Sequence, residues 1–231
     1  MKNVMILSGA GLSAPSGLKT FRDHDGLWDN HNVMEVCSAT AFRKNPQKIF
    51  DFYDTRRAEL AKVKPNHAHE MIAKLKEKYT KNLFIITQNV DDLLERAGCA
   101  EVTHLHGFLP ELVCMDCGSI FDIGYESQRG KICPKCKSLN LRHNIVMFEE
   151  QAPMYSVLYE LLKQTSLFVC IGTSGAVLPV GHYARMCEKS ILNNLEKDEK
   201  LEAYFDKCYY QSAELAIDQI AKDIEDFLRA A

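Results

Sequence analysis

A short apolar run that ends directly in a glycine-rich loop places the strongest restriction on the fold. Residues 4–7 read VMIL, and residues 9–14 read GAGLSA, which fits the pattern G-x-G-x-x-G/A. Glycine lets the backbone turn tightly and come close to a pyrophosphate, whose charge the N-terminus of a following helix favours. A predicted strand before the loop is the context that dinucleotide binding requires. The pattern therefore favours a dinucleotide site, although ordinary turns also carry such glycines.

The rest of the chain repeats the alternation of strand and helix. Further apolar runs cover Leu83–Thr87, Val102–Leu105, Leu167–Gly172 and roughly 190–195. Apolar residues at helical spacing lie between several of them and again over 212–231. Strands without polar alternation are typical of a parallel sheet covered on both faces. We therefore predict an α/β fold with a Rossmann-like parallel sheet and helices on both faces.

Two segments interrupt this alternation and predict a small inserted lobe. Residues 31–65 are typical of short helices with several aromatic residues, and 108–145 are irregular and carry paired cysteines. A chain of 231 residues is long enough for one large core with a small insertion. We predict a Rossmann-like dinucleotide-binding domain over 1–30, 66–107 and 146–231, and a small lobe over 31–65 and 108–145.

Four cysteines have the spacing of a zinc site. Cys114 and Cys117 form one C-x2-C pair, and Cys133 and Cys136 form a second pair fifteen residues later. Each pair can direct two thiolates towards one tetrahedral ion. Because four thiolates leave no open position for water, the predicted zinc is structural. Disulfides are the alternative, which an odd total of nine cysteines disfavours.

Charge and hydropathy exclude several classes of partner. The net charge is −3, and no stretch approaches 18 apolar residues. The run before the glycine loop is also too short for the core of a signal peptide. The lysines of the cysteine module have no aromatic platform for nucleic acid. We expect a cytoplasmic monomer with no nucleic acid and no membrane partner.

Polar side chains follow two of the predicted strands. Gln88, Asn89 and Asp91 come directly after the second apolar run, and His104 and His106 end the third. Open α/β sheets bind ligands at the carboxyl ends of their strands. A histidine there can serve as a general base, since its pKa suits neutral pH. Helix capping by Asn89 or Asp91 and a structural role for either histidine are the alternatives.

A redox role for the dinucleotide requires an acidic residue at the end of a second strand, about 20 residues after the glycines. Asp25 and Asp29 lie near that distance, but the segment around them is typical of a loop. A dehydrogenase is therefore poorly supported.

Taken together, the motifs resemble the sirtuin family of NAD-dependent protein-lysine deacylases. They are GAGLSAPSGLKTFR, GLW, PNHAH, TQNVDDLLERAG, HLHG, the four cysteines, GTSG and NLE, in this order over nearly the whole chain. The resemblance implies that NAD is consumed as a co-substrate and that nicotinamide, O-acyl-ADP-ribose and free lysine are formed. The implied partners are acylated lysine side chains of proteins.

The resemblance also implies roles for individual residues. His106 corresponds to the catalytic histidine, and Val146 and Phe148 lie in the segment that pairs with the substrate peptide. The implied cofactor contacts are Gly9, Ala10, Gly11, Phe21, Arg22, Trp28, Gln88, Asn89, Asp91, Gly172, Thr173, Ser174 and Asn194.

Tyr53 and Arg56 bear on the choice of acyl group. They are three residues apart and share one face of a predicted helix, where a phenol and a guanidinium can hold a carboxylate. A solvated face on which Arg56 pairs with Asp54 or Glu59 is the alternative. The Y-x-x-R motif resembles the subgroup that removes succinyl, malonyl and glutaryl groups, and the compact Cys37 leaves room for a longer chain.

Three positions depart from the family pattern. Lys19 stands where proline is usual, Glu149 replaces a glycine in the peptide-pairing segment, and the usual glycine is missing around Tyr210. Two other functions stay open: a plain protein deacetylase in which Tyr53 and Arg56 are structural, and a zinc module that senses NAD or ADP-ribose without turnover.

Overall fold

The computed structural model describes residues 2–19 and 33–230 and contains two β-sheets. The larger sheet has six parallel strands in the order β3-β2-β1-β7-β8-β9, and the smaller has three antiparallel strands in the order β5-β4-β6. The strands are β1 (Val4–Ser8), β2 (Leu83–Thr87), β3 (Val102–His104), β4 (Gly107–Cys114), β5 (Ile120–Asp122), β6 (Leu141–Ile145), β7 (Leu167–Ile171), β8 (Lys189–Asn194) and β9 (Lys207–Tyr210).

Helices connect the strands of the larger sheet and form most of the segment before β2. In chain order they are α1 (Val33–Val36), α2 (Ala39–Lys44), α3 (Pro46–Leu60), α4 (His67–Lys78), α5 (Leu93–Arg96), α6 (Tyr155–Leu162), α7 (Val180–Arg185), α8 (Glu199–Glu202) and α9 (Ala213–Arg229). In the described part of the chain, none of these helices is long and apolar enough to cross a membrane.

Both faces of the larger sheet are buried, as the apolar runs predict. Val4 and Ile6 of β1 pack on one face in a core that includes residues of α4 and α9. Met5 and Leu7 point the other way, into a core with residues of α6 and α7. Successive side chains of a strand point to opposite faces, so a strand buried on both sides is apolar at every position. The prediction of a Rossmann-like α/β fold is confirmed.

The order of the strands places a crevice between β1 and β7. The chain proceeds outwards from β1 through β2 to β3, and then returns to β7 on the other side of β1. Ligands of open α/β sheets bind at this reversal, outside the carboxyl ends of the strands. The loops after β1, β2, β3 and β7 therefore meet at one place.

Two details of the sheet region differ from the sequence prediction. The sixth strand, β9, was not predicted, because KCYY is short and follows a charged segment. In addition, β1 leads into two 3-10 turns, Ala10–Leu12 and Ala14–Ser16, and not directly into an α-helix. A phosphate at this loop would therefore meet backbone N–H groups of short turns.

Candidate active site and zinc centre

The glycine loop after β1 lies in backbone contact with the loop after β7. The N–H of Gly9 donates to the carbonyl of Ile171, and that of Gly11 to the carbonyl of Gly172, both at 2.9 Å. A Cβ on Gly172 would lie 2.5 Å from the backbone of Gly11 and Leu12, and its φ is +64°. Glycine is therefore required on both sides for the two loops to meet. Their role towards a pyrophosphate stays a prediction.

Gln88 and Asn89 connect the loop after β2 to both of these loops. The side-chain amide of Gln88 donates to the hydroxyl of Thr173 at 3.0 Å. The amide of Asn89 donates to the carbonyl of Gly9 and to the hydroxyl of Ser13, both at 3.1 Å. Asn89 thus does not cap the following helix, and its side chain lies at the crevice.

Asp91 has two roles, one of them a capping role. Its Oδ1 accepts from the N–H of Leu93 at 3.2 Å, and its Oδ2 accepts from the hydroxyl of Ser13 at 2.9 Å. Burial raises the pKa of the Asp91 carboxyl, against the effect of these two hydrogen bonds. The carboxylate is consequently held in one orientation at the edge of the crevice.

Ser13 and His69 complete this polar group, and the sequence analysis assigned no role to either residue. Nδ1 of His69 accepts from the N–H of Asn66 at 3.2 Å, so Nε2 carries the proton and faces the Ser13 hydroxyl at 3.3 Å. Burial lowers the pKa of His69 to about 4, which keeps the ring neutral. The motif PNHAH, which contains Asn66 and His69, was noted only as part of the family resemblance.

His106 follows β3 and points its base nitrogen into the same region. Its Nδ1 lies 3.1 Å from the carbonyl of Gln88, and its Nε2 lies 2.9 Å from the hydroxyl of Tyr155. Because a carbonyl only accepts, Nδ1 carries the proton and Nε2 holds the lone pair. Burial lowers the pKa of His106, and the Gln88 carbonyl opposes that shift in part. The ring is therefore a neutral base at pH 7.

His104 differs from His106 because both of its nitrogens have structural partners. One nitrogen lies 2.9 Å from the carbonyl of Asn89, and the other lies 2.8 Å from a carboxylate oxygen of Glu95. Burial disfavours its charged form, but the hydrogen bond and charge of Glu95 prevail and raise the pKa of His104. A structural role was the alternative for both histidines, and the contacts of His104 agree with that role.

Thr173, Ser174 and Asn194 lie at the carboxyl ends of β7 and β8. Asn194 donates its amide to the carbonyl of Thr173 at 3.1 Å, and Ser174 is half-buried beside them. The neighbouring Asn193 is buried, and its amide donates to the carbonyls of Tyr209 and Gln211. Asn193 therefore joins β8 to β9, and Asn194 joins β8 to the loop after β7.

Tyr53 is buried in an apolar cluster shared by the helical module, which consists of α1 to α3, and the segment after β6. Tyr53, Cys37 and Met147 belong to one apolar cluster, and the Tyr53 hydroxyl is hydrogen-bonded to the thiol of Cys37. Burial raises the pKa of both groups. Arg56 is 17% exposed and donates to a carboxylate oxygen of Glu59 at 3.0 Å. The pairing considered as the alternative thus exists, beside the cluster that buries the phenol.

The segment with Val146 and Phe148 runs between His106 and this cluster. The N–H of Val146 donates to the carbonyl of His106 at 2.9 Å. Phe148 forms a parallel bridge to Ser38, in which its N–H donates to Cys37 and its carbonyl accepts from Ala39. The segment is therefore fixed at one end to the base and at the other to the helical module.

Glu149 stabilises the same junction. Its Oε2 accepts from the N–H of Thr40 at 2.9 Å, in the first turn of α2, where negative charge is favoured. Its φ is +73°, a conformation in which glycine would be free of strain. The family's usual glycine fits this backbone, and the glutamate at this position adds a bond to α2.

Arg57 was not predicted as important, although it is fully buried. Its guanidinium donates to the carbonyl of Leu109 at 3.0 Å, to Asp54 at 2.8 Å and to Nδ1 of His143 at 2.7 Å. It thereby joins α3 to the start of the small sheet. Arg57 cannot take over the role of Arg56, because the Arg57 guanidinium contacts the small sheet whereas the Arg56 guanidinium contacts Glu59.

The four cysteines converge and fit a zinc ion. Their Sγ atoms all lie within 4.8 Å of one another. Cys114 and Cys136 have their sulfurs 3.5 Å apart, and Cys117 and Cys133 have theirs 3.6 Å apart. A tetrahedral ion with Zn–S bonds of about 2.3 Å needs sulfurs roughly 3.8 Å apart. The group is closed and lies in the small sheet, so a zinc here would be structural.

Three of the predicted cofactor residues, Phe21, Arg22 and Trp28, lie outside the residues that the structure describes. The remaining predicted contacts, from Gly9 to Asn194, come together at the carboxyl ends of the parallel strands. Among the described residues, the crevice is lined by the loops after β1, β2, β3, β7 and β8.

Comparison with known proteins agrees with this arrangement. The model of the Sir2 family matches residues 9–179. An NAD-dependent protein deacylase of Campylobacter jejuni is 73% identical over 229 residues, which cover 99% of this chain and 98% of that protein. Another NAD-dependent protein deacylase, from Helicobacter hepaticus, is 40% identical over 252 residues, which cover 98% of this chain and 99% of that protein. A solved Sir2 homologue–NAD complex has a TM-score of 0.84 and 31% identity, covering 98% of this chain and 91% of that chain.

A parallel sheet with a crevice at its reversal, a histidine base and a four-cysteine module define the class of protein. The chain belongs to the Sir2 family, the sirtuins. The resemblance drawn from the motifs is confirmed.

Proposed function

We propose that this sirtuin is an NAD-dependent protein-lysine deacylase in which His106 is the general base. The carrying observation is the geometry of His106: the Gln88 carbonyl fixes Nδ1 as the protonated nitrogen, so that Nε2, which contacts the Tyr155 hydroxyl, holds the lone pair. NAD supplies a ribose whose bond to nicotinamide is cleaved during acyl transfer. The imidazole then accepts a proton from a ribose hydroxyl, which requires a neutral ring.

The loops divide the NAD molecule between them in this proposal. The nicotinamide and its ribose belong beside Gln88, Asn89 and Asp91, whose amides and carboxylate are oriented before any ligand binds. The phosphates belong beside the two glycine loops, where a Cβ on Gly9, Gly11 or Gly172 would not fit. The adenosine belongs beside Thr173, Ser174 and Asn194.

The acylated lysine should enter between the base and the helical module. The segment of Val146 and Phe148 connects these two parts, and Cys37 and Tyr53 belong to the apolar cluster beside it. We propose that the acyl group lies against Tyr53 and Arg56, and that these residues favour acyl groups that end in a carboxylate, such as succinyl and malonyl. A phenol and a guanidinium on one helix face supply the hydrogen bond and the charge that a carboxylate needs.

The pairing of Arg56 with Glu59 does not oppose this preference. Glu59 is 46% exposed and three residues from Arg56 on the same helix. Ion pairs three or four residues apart on a helix contribute about 0.2–0.5 kcal/mol, so a substrate carboxylate can displace Glu59 at little expense. Glu59 then acts as a competitor for Arg56.

Kinetics on one peptide carrying succinyl-lysine or acetyl-lysine tests the proposal. Arg56→Met should raise KM for the succinyl peptide at least tenfold and leave the acetyl peptide nearly unchanged. Glu59→Gln should lower KM for the succinyl peptide, because the competing carboxylate is gone. Arg43→Met, which removes an exposed arginine from α2, is the matched control and should affect the two substrates equally. Equal losses on both substrates in Arg56→Met contradict the carboxylate preference.

A plain protein deacetylase is the second candidate function. The observation in its favour is that Tyr53 and Arg56 each have an internal partner already, in Cys37 and Glu59. A wild-type preference for the acetyl peptide would support this candidate.

The catalytic role of His106 needs a separate measurement. His106→Asn should abolish formation of O-acyl-ADP-ribose, detected by mass spectrometry, while the far-UV circular dichroism stays unchanged. Wild-type protein that binds NAD without forming this product would instead indicate a sensor.

A further inference from the structure

Tyr155 contacts the base nitrogen of His106, and the proposed function has given it no role. It is the first residue of α6, and its ring packs against the apolar core that contains Leu158 and Leu162. Its hydroxyl oxygen lies 2.9 Å from Nε2 of His106. The anchored helix therefore presents a phenol directly to the atom that must act as the base.

The direction of this hydrogen bond follows from the other side of the ring. The Gln88 carbonyl accepts from Nδ1, so Nε2 has no proton and can only accept. The Tyr155 hydroxyl must therefore donate. Burial raises the pKa of Tyr155, so the phenol keeps its proton at neutral pH. In the free protein the lone pair of the base is consequently occupied.

A neutral imidazole nitrogen has one lone pair in the plane of the ring and accepts one strong hydrogen bond. A ribose hydroxyl that is to give its proton to Nε2 needs the same lone pair. The two hydroxyl groups therefore exclude each other at this atom.

We propose that Tyr155 is a positioning residue that takes the place of the substrate hydroxyl in the free enzyme and is displaced when the ribose enters. The proposal rests on the assignment of His106 as the base. Tyr155 keeps the ring in its productive tautomer and rotamer until the ribose hydroxyl replaces it. The proton of that hydroxyl then goes to Nε2, and Tyr155 retains its own.

The surroundings of His106 allow the effect of the Tyr155 bond on the His106 pKa to be separated from the effects of other groups. The groups that face its two nitrogens are the Gln88 carbonyl and the Tyr155 hydroxyl. Among the residues that the structure describes, no carboxylate or cationic side chain is hydrogen-bonded or ion-paired to this ring. If the pKa of His106 changes when the Tyr155 hydroxyl is removed, the change therefore reports the bond between that hydroxyl and Nε2.

Titration of His106 by NMR, with and without ADP-ribose, tests the proposal. The signal is assigned by its loss in His106→Asn. Tyr155→Phe keeps the ring in the core and removes the hydroxyl that stabilises the neutral imidazole. It should raise the pKa of His106 in the free protein by roughly half to one unit. With ADP-ribose bound, the wild type and the variant should have the same pKa.

Binding of ADP-ribose provides a second readout, because the wild type must first break the Tyr155 bond. Tyr155→Phe should bind ADP-ribose about two- to fivefold more tightly in calorimetry. Tyr159→Phe is the matched control, since its hydroxyl lies one helical turn further on and contacts Tyr183. This control should change neither the His106 pKa nor the affinity.

Two results would overturn the proposal. An unchanged His106 pKa in free Tyr155→Phe would mean that the hydroxyl does not bond to the base. A difference that persists with ADP-ribose bound, together with weaker binding, would mean that Tyr155 stays in place and relays the proton. Failure of the base assignment is distinguishable, because His106→Asn would then retain turnover whatever Tyr155→Phe does.

Discussion

The buried ring of His69 makes the stability of this protein sensitive to acid. Both of its nitrogens are engaged, Nδ1 by the N–H of Asn66 and Nε2 by the hydroxyl of Ser13. The side chain has no exposed surface, and burial lowers its pKa to about 4. A second proton would place an unpaired charge in the core and remove the acceptor that the N-terminus of α4 uses.

The sign and the size of the effect follow from linkage. In the unfolded chain the pKa of a histidine is about 6.5, so the unfolded state binds a proton below that pH and the folded state does not. The contribution of His69 to stability is therefore complete above pH 6.5 and is lost as the pH falls towards 4. A difference of about 2.5 pKa units corresponds to about 3 kcal/mol in total, of which about 2 kcal/mol is lost by pH 5.

Urea unfolding at pH 7.5 and pH 5 measures this loss. His69→Gln retains an acceptor for the N–H of Asn66, as in a capping box, but does not titrate. Its free energy of unfolding should fall by about 2 kcal/mol less between these pH values than that of the wild type. The buried His143 has its pKa lowered to about 3, first by burial and then by the charge of Arg57, and its share cancels in the comparison.

The control is His67→Gln, which changes an exposed histidine two residues away on the same helix. This variant should keep the pH dependence of the wild type. If His69→Gln loses as much stability between pH 7.5 and pH 5 as the wild type does, the buried neutral ring is not the source of the acid sensitivity.

Three further outcomes are expected. Gly172→Ala should destabilise the fold by about 2–4 kcal/mol in urea unfolding and should weaken NAD binding. Gly98→Ala is its control, because Gly98 also has a positive φ but has open space around it, and this variant should show only the backbone strain of about 1–2 kcal/mol. Glu149→Ala should be about 1 kcal/mol less stable than Glu149→Gly, because both variants lose the bond to Thr40 but only glycine relieves the strained φ. A chelator should remove zinc and separate the melting of the small sheet from that of the large one, and Cys114→Ser should already behave in this way without chelator.

The sequence predicted the large sheet well because its signals are local. Each central strand is a short apolar run that ends in small or polar residues, and β1, β2 and β7 lie where those runs predict them. The stripe of Ile217, Ile220 and Ile224 likewise predicted α9, in which all three are buried. The C-x2-C spacing predicted a converging cysteine group for the same reason, since each pair closes within one turn.

The partners of the site residues could not be predicted in this way. Tyr155 lies 49 positions after His106, and Ser13 lies 56 positions before His69, so nothing in the spacing relates them. The burial of Arg57 depends on how α3 packs on the small sheet. The exposure of Glu59, which pairs with Arg56, depends on the same packing. These contacts exist only once the elements are assembled.

The hydrogen bonds of the crevice divide into two groups that meet at one loop. Ser13, Asn89, Asp91 and His69 bond to each other and fix the loops after β1 and β2 to the start of α4. Among the residues that the structure describes, the His106 side chain takes no part in that group, and its Nδ1 contacts the backbone carbonyl of Gln88 beside it. Groups that bind a charged dinucleotide gain from being fixed beforehand, because no reorganisation is then needed on binding. A base must exchange partners during the reaction, and a single neutral bond to a tyrosine is weak enough to be exchanged. The rigid group around Ser13 thus suits binding of the dinucleotide, and the exchangeable bond between His106 and Tyr155 suits proton transfer.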